Sequence, residues 1–230
     1  MAMNPKYLRP KAKAQQSLSG TPASMLLHFD GDFSDSSPSN VTVDSYGVVA
    51  SENESKFGGY GGYFDGGSTM LAPASASVSG TGDFTVEAWL FPFAPPFPNE
   101  APYAVWLANE TSGGFSTLIH DDGMASFGRS LIEENGISTI PVTFDAWNHV
   151  AIVRKNSIFT LFVNGEIGYS GEFATEYNSG DIRIGSDGGD NGLFYAGYID
   201  DLRIVNGLAV YTGPFTPPAA PLTAIATPQA

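Results

Sequence analysis

The chain has 230 residues, with 27 Gly, 16 Pro and no Cys, and its apolar fraction is 42%. That length supports one domain with a full core, burying roughly 70% of its unfolded surface, and the apolar content excludes a wholly disordered chain. The missing cysteine excludes disulfides, a thiolate nucleophile and Cys-ligated zinc, and the Gly and Pro content argues against long helices.

Charge is divided along the chain. The formal net charge is −14, from 10 Lys+Arg and 24 Asp+Glu. Residues 1–24 carry Lys6, Arg9, Lys11 and Lys13 and no acid. All 24 acids lie between Asp30 and Asp201 beside five bases, a net charge of −19 for that block. Such a body repels duplex DNA, so no specific nucleic-acid partner is expected. The N-terminus has no apolar signal region, and no run approaches the ~20 apolar residues that cross a bilayer. Neither secretion by a leader nor membrane insertion is expected.

Residues 1–24 read as a basic arm, in which Tyr7, Leu8, Arg9, Lys11 and Lys13 are candidate partner contacts. From Met25 the pattern becomes one of short strands. Met25–Phe29 is an apolar run ended by Asp30-Gly31, Thr42–Ala50 is a second candidate, and Gly62–Phe64 and Thr69–Leu71 follow. The clearest strand spans Asp83–Phe91. Phe84, Val86, Ala88 and Leu90 share one face, and Thr85, Glu87, Trp89 and Phe91 the other. Two aromatics on the second face imply that it too is partly covered or binds something.

The Pro-rich stretch from Pro92 to Pro102 cannot join a sheet interior and reads as a surface loop. Tyr103–Ala108 and Gly114–His120 resume the strands, and Asp121-Asp122-Gly123 turns the chain into Met124–Phe127. Ala146–Lys155 and Ser157–Val163 come next. Asn164-Gly165 is the strongest hairpin signal, returning through Glu166–Tyr169. Asp181–Gly185 and Leu193–Val205 complete the set. The tail after Asn206 holds Tyr211, Phe215 and five Pro, and reads as an extended strap packed on the body. About a dozen short strands with Gly and Pro turns predict an all-β, two-sheet antiparallel sandwich with an extended N-terminal arm. The expected divisions are an arm (1–24), a sandwich (25–205) and a Pro-rich strap (206–230).

Several ordered stretches carry a family resemblance. They are Leu26–Gly31, Ser55–Gly59, Gly62–Gly66, Gly82–Trp89, Trp147–Ala151, Leu161–Gly165 and Gly197–Ile204. Together they resemble the concanavalin A-like jelly-roll superfamily in its laminin G-like branch. The ending, Tyr211–Pro218, is similar to the form carried by virion proteins of tailed phages, including marine and cyanobacterial ones. The resemblance implies a lectin-like role without catalysis, with glycan or protein held on rim loops or a sheet face, often beside calcium. It also implies a virion location, with synthesis in the host cytoplasm. The protein would be a decoration protein docked by its arm, with a major capsid or tail protein, copies of itself (a trimer) and a host surface glycan as partners. Two alternatives stay open: a tail-fibre or free lectin module, and a polysaccharide hydrolase. The hydrolase is disfavoured because no paired-carboxylate motif is present; Glu133 and Glu134 are adjacent and point to opposite faces of a strand.

Candidate site residues follow from chemistry. Trp106, just after the Pro-rich loop, is the best stacking plate for a sugar, and Trp89 is a second candidate; Trp147 reads as core. Asp121 and Asp122 offer a carboxylate-bearing turn for a sugar or an ion. Asp187, Asp190 and Asn191, in a Gly-rich loop, are the candidate calcium ligands, against the alternative of a solvated acidic turn. Phe91, Phe93 and Phe97 would present an apolar patch to a partner. Asp200 and Asp201 should face opposite sides of their strand, the inward one paired with Arg203, Arg183 or turn N–H groups.

Overall fold

The computed structural model describes residues 20–95, 103–130, 133–188 and 193–229. β1 (Thr21–Pro22), β2 (Met25–Leu27), β3 (Asp44–Tyr46), β4 (Val49–Ser51), β5 (Gly61–Asp65) and β6 (Thr69–Ala72) lead to the long β7 (Phe84–Pro92). β8 (Tyr103–Asn109), β9 (Phe115–His120), β10 (Met124–Arg129), β11 (Glu133–Pro141) and β12 (Asn148–Lys155) follow. The chain ends with β13 (Ile158–Val163), β14 (Glu166–Glu172), β15 (Ile182–Ile184), β16 (Ala196–Asn206) and β17 (Ile225–Ala226). Among the described residues the helical content is one 3-10 turn, Ala74–Ala76.

The strands form two antiparallel sheets. One has seven strands in the order β11-β10-β9-β8-β15-β6-β3. The other has eight: β14-β13-β12-β7-β16-β5-β4, with β2 also paired to β16. The core lies between them, and the alternation along β7 places it: Phe84, Val86, Ala88 and Leu90 face Trp106, Leu107, Phe115 and Phe127. Each of these Val, Leu and Phe side chains, fully buried, contributes about 1.5–3 kcal/mol to folding. Asn164 and Gly165 both have positive φ, as the hairpin joining β13 to β14 requires.

Two boundaries differ from the sequence reading. Residues 20–24 belong to the body: β1 pairs with β17, and the N–H groups of Ala23 and Ser24 donate to Ala224 and Ile204. The body therefore starts near Gly20, and Tyr7, Leu8, Arg9, Lys11 and Lys13 lie outside the described residues. β11 is the strand that alternation misses. It lies at a sheet edge, where a terminal Pro, an interior Gly136 and register shifts against β10 are tolerated.

The strap is present as expected. It crosses the outer face of the eight-stranded sheet, where Ala209, Val210, Tyr211 and Leu222 cover Leu26, Ala151, Val153, Phe162 and Val205. Tyr211 and Phe215 stack with centroids 3.6 Å apart and planes within 7°. Gly165 admits this passage. A Cβ there would lie 1.9 Å from the Phe215 carbonyl oxygen, whereas the Phe215 N–H donates to the Gly165 carbonyl at 3.0 Å.

Candidate functional site

The outer face of the eight-stranded sheet is divided into three zones by what lies over it. Under the strap, Glu87 is fully buried and fully engaged. Its Oε1 accepts from Arg203 Nε at 2.9 Å and Nη2 at 2.6 Å. Its Oε2 accepts from the Tyr211 hydroxyl at 2.7 Å and sits 3.1 Å from His149 Nε2. Arg203 Nη1 donates onward to the Thr223 carbonyl of the strap at 2.9 Å. Burial opposes ionisation of Glu87, but Arg203 above all, with His149 and Tyr211, outweighs it and lowers its pKa to about 2. This cluster holds the strap to the sheet.

The second zone is organised by a bulge in β16. Asp200 pairs opposite Trp89 and Arg203 opposite Glu87, so β16 has one residue more than β7 in that interval. The extra residue keeps Ile199 and Leu202 in the core while both Asp200 and Asp201 address loops outside it. Asp201, at φ 47°, accepts from the Leu222 N–H at 2.7 Å and bonds His28 Nδ1. That bond to Asp201 raises the His28 pKa, against the lowering effect of burial. Asp200 Oδ2 accepts from the N–H groups of Lys56 and Phe57 at 2.8 and 3.1 Å, and its buried Oδ1 has no partner among the described residues. Burial pushes Asp200 up to about 7, against those two N–H groups. The expected opposite orientation of the two aspartates is corrected by the bulge. The expected arginine partners are engaged elsewhere, Arg203 with Glu87 and Arg183 with Glu110, while the expected N–H partners are present.

Beyond these lies the third zone, an aromatic row left open by the strap. In strand register Tyr63, Tyr198 and Phe91 stand side by side on β5, β16 and β7. Their centroids are 5.3 Å (Tyr63–Tyr198) and 5.9 Å (Tyr198–Phe91) apart, and Trp147 extends the row 5.6 Å beyond Phe91. Phe93 packs on Tyr198 at 5.7 Å. Tyr63, Phe91, Phe93 and Trp147 are half-buried, so each keeps part of a ring in solvent. The β16 backbone approaches β7 closely here, at Gly197 (φ 142°), where a Cβ would lie 2.2 Å from the Phe91 carbonyl oxygen. Flat rings with solvent-facing portions can stack on the apolar C–H faces of sugars.

The residues expected from the sequence to form sites divide accordingly. Trp106 is fully buried between the sheets, so it is a core residue and not a stacking plate. Its position on β8 turns it to the core-facing side. Trp89 is 5% exposed, and Lys56 Nζ lies 3.7 Å from its ring centroid, so its ring is already occupied. Burial against that ring lowers the Lys56 pKa, opposed by Asp200. Trp147, read as core, is half-buried and joins the open row. Phe91 is in that row, Phe93 packs beside it on Tyr198, and Phe97 lies outside the described residues. Asp122 caps its own turn, accepting from the Met124 N–H at 2.9 Å, while Asp121 lines a cavity at the end of the sandwich.

Asp187 is half-buried, and Asp190 and Asn191 lie outside the described residues. Among the described residues no group of three His, Asp or Glu is arranged to hold a metal. Sequence reasoning missed Tyr63 and Tyr198. Their signal is a tyrosine alternating with a core residue, in Tyr63-Phe64 and Tyr198-Ile199.

Comparisons with known proteins agree with this architecture. A family model described as the concanavalin A-like lectin/glucanases superfamily, of laminin G type, matches residues 64–209. A search of curated proteins finds no significant match. Among solved structures, the chain is similar to domain 4 of AbnA, a GH43 extracellular arabinanase from Geobacillus stearothermophilus, in complex with arabinotriose. The TM-score is 0.63 at 18% identity, covering 83% of this chain and 95% of that one. It is also similar to the binding domain of Paraclostridial Mosquitocidal Protein 1 (TM-score 0.65, 17% identity, 82% of this chain and 49% of that one). The botulinum neurotoxin serotype D binding domain matches at TM-score 0.62 and 14% identity, over 82% of this chain and 49% of that one. The chain thus spans about half the length of these toxin domains.

Proposed function

Because this chain belongs to the concanavalin A-like lectin/glucanase superfamily, we propose that it works by recognition, with the open row Tyr63–Tyr198–Phe91–Trp147 as a stacking plate for a glycan. That row is the observation that carries the reading: among the described residues the strap covers one part of the outer sheet face and leaves Tyr63, Phe91 and Trp147 partly open, with the buried Tyr198 ring as the support between Tyr63 and Phe91. The superfamily joins binders and hydrolases, so fold alone does not choose between them. Glu87, the central carboxylate of β7, is buried and held ionised by Arg203, and cannot reach a substrate as acid or nucleophile. The similar structures, a domain solved with arabinotriose and two binding domains, support binding over catalysis.

Affinity electrophoresis tests this reading. Gels containing arabinan or a bacterial envelope polysaccharide should retard the wild-type protein. The double variant Phe91→Ala/Trp147→Ala should bind at least about tenfold more weakly, with the same native mass. No reducing sugar should be released. Release of sugar, or unretarded wild-type protein in every polysaccharide tested, would contradict the proposal. If the variant changes native mass and leaves retardation intact, the row is a contact between copies.

We further propose that the domain is displayed on a tailed-phage virion, anchored by the basic segment that precedes the body. Support comes from the sequence: four cations without an acid ahead of a −19 body, and the Tyr211–Pro218 run. Exposed ion pairs give only about 0–1 kcal/mol each, so docking needs apolar burial by Tyr7 and Leu8 as well. Because β1 pairs with β17, the informative truncation removes residues 1–19 and not 1–24. The truncated protein should melt as wild type and fail to enter particles. Wild-type occupancy of particles by the truncated protein would refute the anchoring role.

A further inference from the structure

The end of the sandwich holds a cavity of about 330 Å3 beside β7, β8 and β9. Its walls are apolar: Phe93, Phe144 and Phe194, with Pro92, Ile119 and Pro95. That size is at the small end of ligand cavities, and the composition, apolar with a few polar groups, is typical of them. Two polar side chains complete the lining, His120 and Asp121. His120 Nε2 is 2.9 Å from Ser126 Oγ. Asp121 is half-buried, and among the described residues no hydrogen bond or ion pair holds its carboxylate.

Among the described residues Asp121 is the acidic side chain of this lining. None of the lysines or arginines among the described residues lines it. Asp145 is close by, since its N–H donates to the Pro92 carbonyl at 2.8 Å. The segment from Asp30 to Asp201 carries −19 overall. A neutral ligand would leave the Asp121 carboxylate partly desolvated against the phenylalanines without compensation. A simple metal ion would meet too few oxygen ligands. A compact organic cation satisfies both halves of the lining: its charge faces Asp121, and its alkyl surface faces the aromatic rings, which attract cations through their quadrupoles.

We propose that this cavity binds a small organic ammonium ion, with Asp121 as counter-ion and Phe93, Phe144 and Phe194 as the aromatic wall. The inference does not depend on glycan binding by the aromatic row. The shared chemistry is an alkylated or sugar-borne ammonium group, and two probes separate the sources.

The test is a titration of the full chain by protein-observed NMR or calorimetry with choline and with glucosamine. 3,3-Dimethyl-1-butanol, the uncharged isostere of choline, is the control for the charge. At least one cation should bind, and the uncharged isostere should bind about tenfold more weakly than choline if choline is the ligand. For glucosamine the corresponding control is N-acetylglucosamine. Asp121→Asn should weaken the cation about tenfold, whereas Asp122→Asn, whose carboxylate caps its own turn, should change nothing. Preference for choline assigns a quaternary ammonium ligand, and preference for glucosamine an amino sugar; either upholds the proposal. No binding of either cation up to about 100 mM, a range below any useful affinity, overturns it. Equal binding of cation and uncharged control, or an Asp121→Asn protein indistinguishable from wild type, also overturns it. Glycan retention lost in Phe91→Ala/Trp147→Ala with choline binding kept would show two separate sites.

Discussion

Glu87→Gln is expected to lower the melting temperature by roughly 6–20 °C, because removing one partner of a buried pair costs about 3–5 kcal/mol. The substitution is nearly isosteric, so packing is preserved and the effect reports charge. Glu87 and Arg203 are 0% and 3% exposed, and the guanidinium gives two of its N–H groups to one carboxylate oxygen. Without the carboxylate, Arg203 becomes a buried cation with no counter-charge, its acceptors reduced to neutral oxygens such as the Thr223 carbonyl. The Tyr211 hydroxyl loses its charged acceptor at the same time. Tyr211 carries the stacked Phe215, so the strap should loosen before the sandwich melts. Limited proteolysis should cut near residues 212–221 in the variant and not in wild type. Adding Arg203→Met to Glu87→Gln removes the stranded charge and should restore part of the loss. A single variant melting within about 2 °C of wild type would mean that the cluster does not hold the strap.

The second large effect concerns pH. Asp200 has a folded pKa of about 7 against 3.8 for the free group, because burial raises it. Between those values the native state binds more protons than the unfolded chain, so stability falls as pH rises. His28 acts in the same direction. Its pKa is raised above 6.5 by Asp201, so its contribution is complete below 6.5 and is lost as pH rises through the folded value. Glu87 acts oppositely. Its contribution is present above 4.5 and is lost as pH falls through about 2. Together these place maximal stability near pH 4, where the gain from Glu87 and the loss from Asp200 balance. In the presence of chelator, the Asp200 contribution alone is about 4 kcal/mol between pH 4 and pH 8. Asp200→Asn keeps an oxygen acceptor for the Lys56 and Phe57 N–H groups and cannot ionise. It should remove most of that slope and leave the smaller part due to His28. Equal wild-type stability at pH 5 and pH 8 would contradict the environment described for Asp200.

Much of the fold was legible because the alternation has a physical cause. Phe84, Val86, Ala88 and Leu90 must share one face of a strand, and they are the residues buried between the sheets. The Asn164-Gly165 turn and the strap were equally readable, since positive φ and proline each limit what the backbone can do. β11 escaped because an edge strand needs no buried alternation, and its Gly136 and Pro141 resemble a loop. The site was less legible. A lone tryptophan after a Pro-rich loop says little about which face it takes, and Trp106 took the core. The open row needs Tyr63, Tyr198 and Phe91 to be neighbours across three strands, which depends on a β5-β16-β7 order that no local pattern encodes. The bulge at Asp200 was likewise hidden, because one inserted residue changes facing without changing composition.

The claim that the open aromatic row is a binding plate is tested most directly by ligand-induced changes in its own ring resonances. Aromatic-selective NMR of the full chain, titrated with arabinotriose and envelope oligosaccharides, separates Tyr63, Phe91, Trp147 and Tyr198 from the buried Trp106. For a binding oligosaccharide, the rings of the row should shift together along one saturation curve while Trp106 and the strap residues Tyr211 and Phe215 stay fixed. Saturable shifts confined to other residues, with the four rings of the row unmoved, would contradict the assignment.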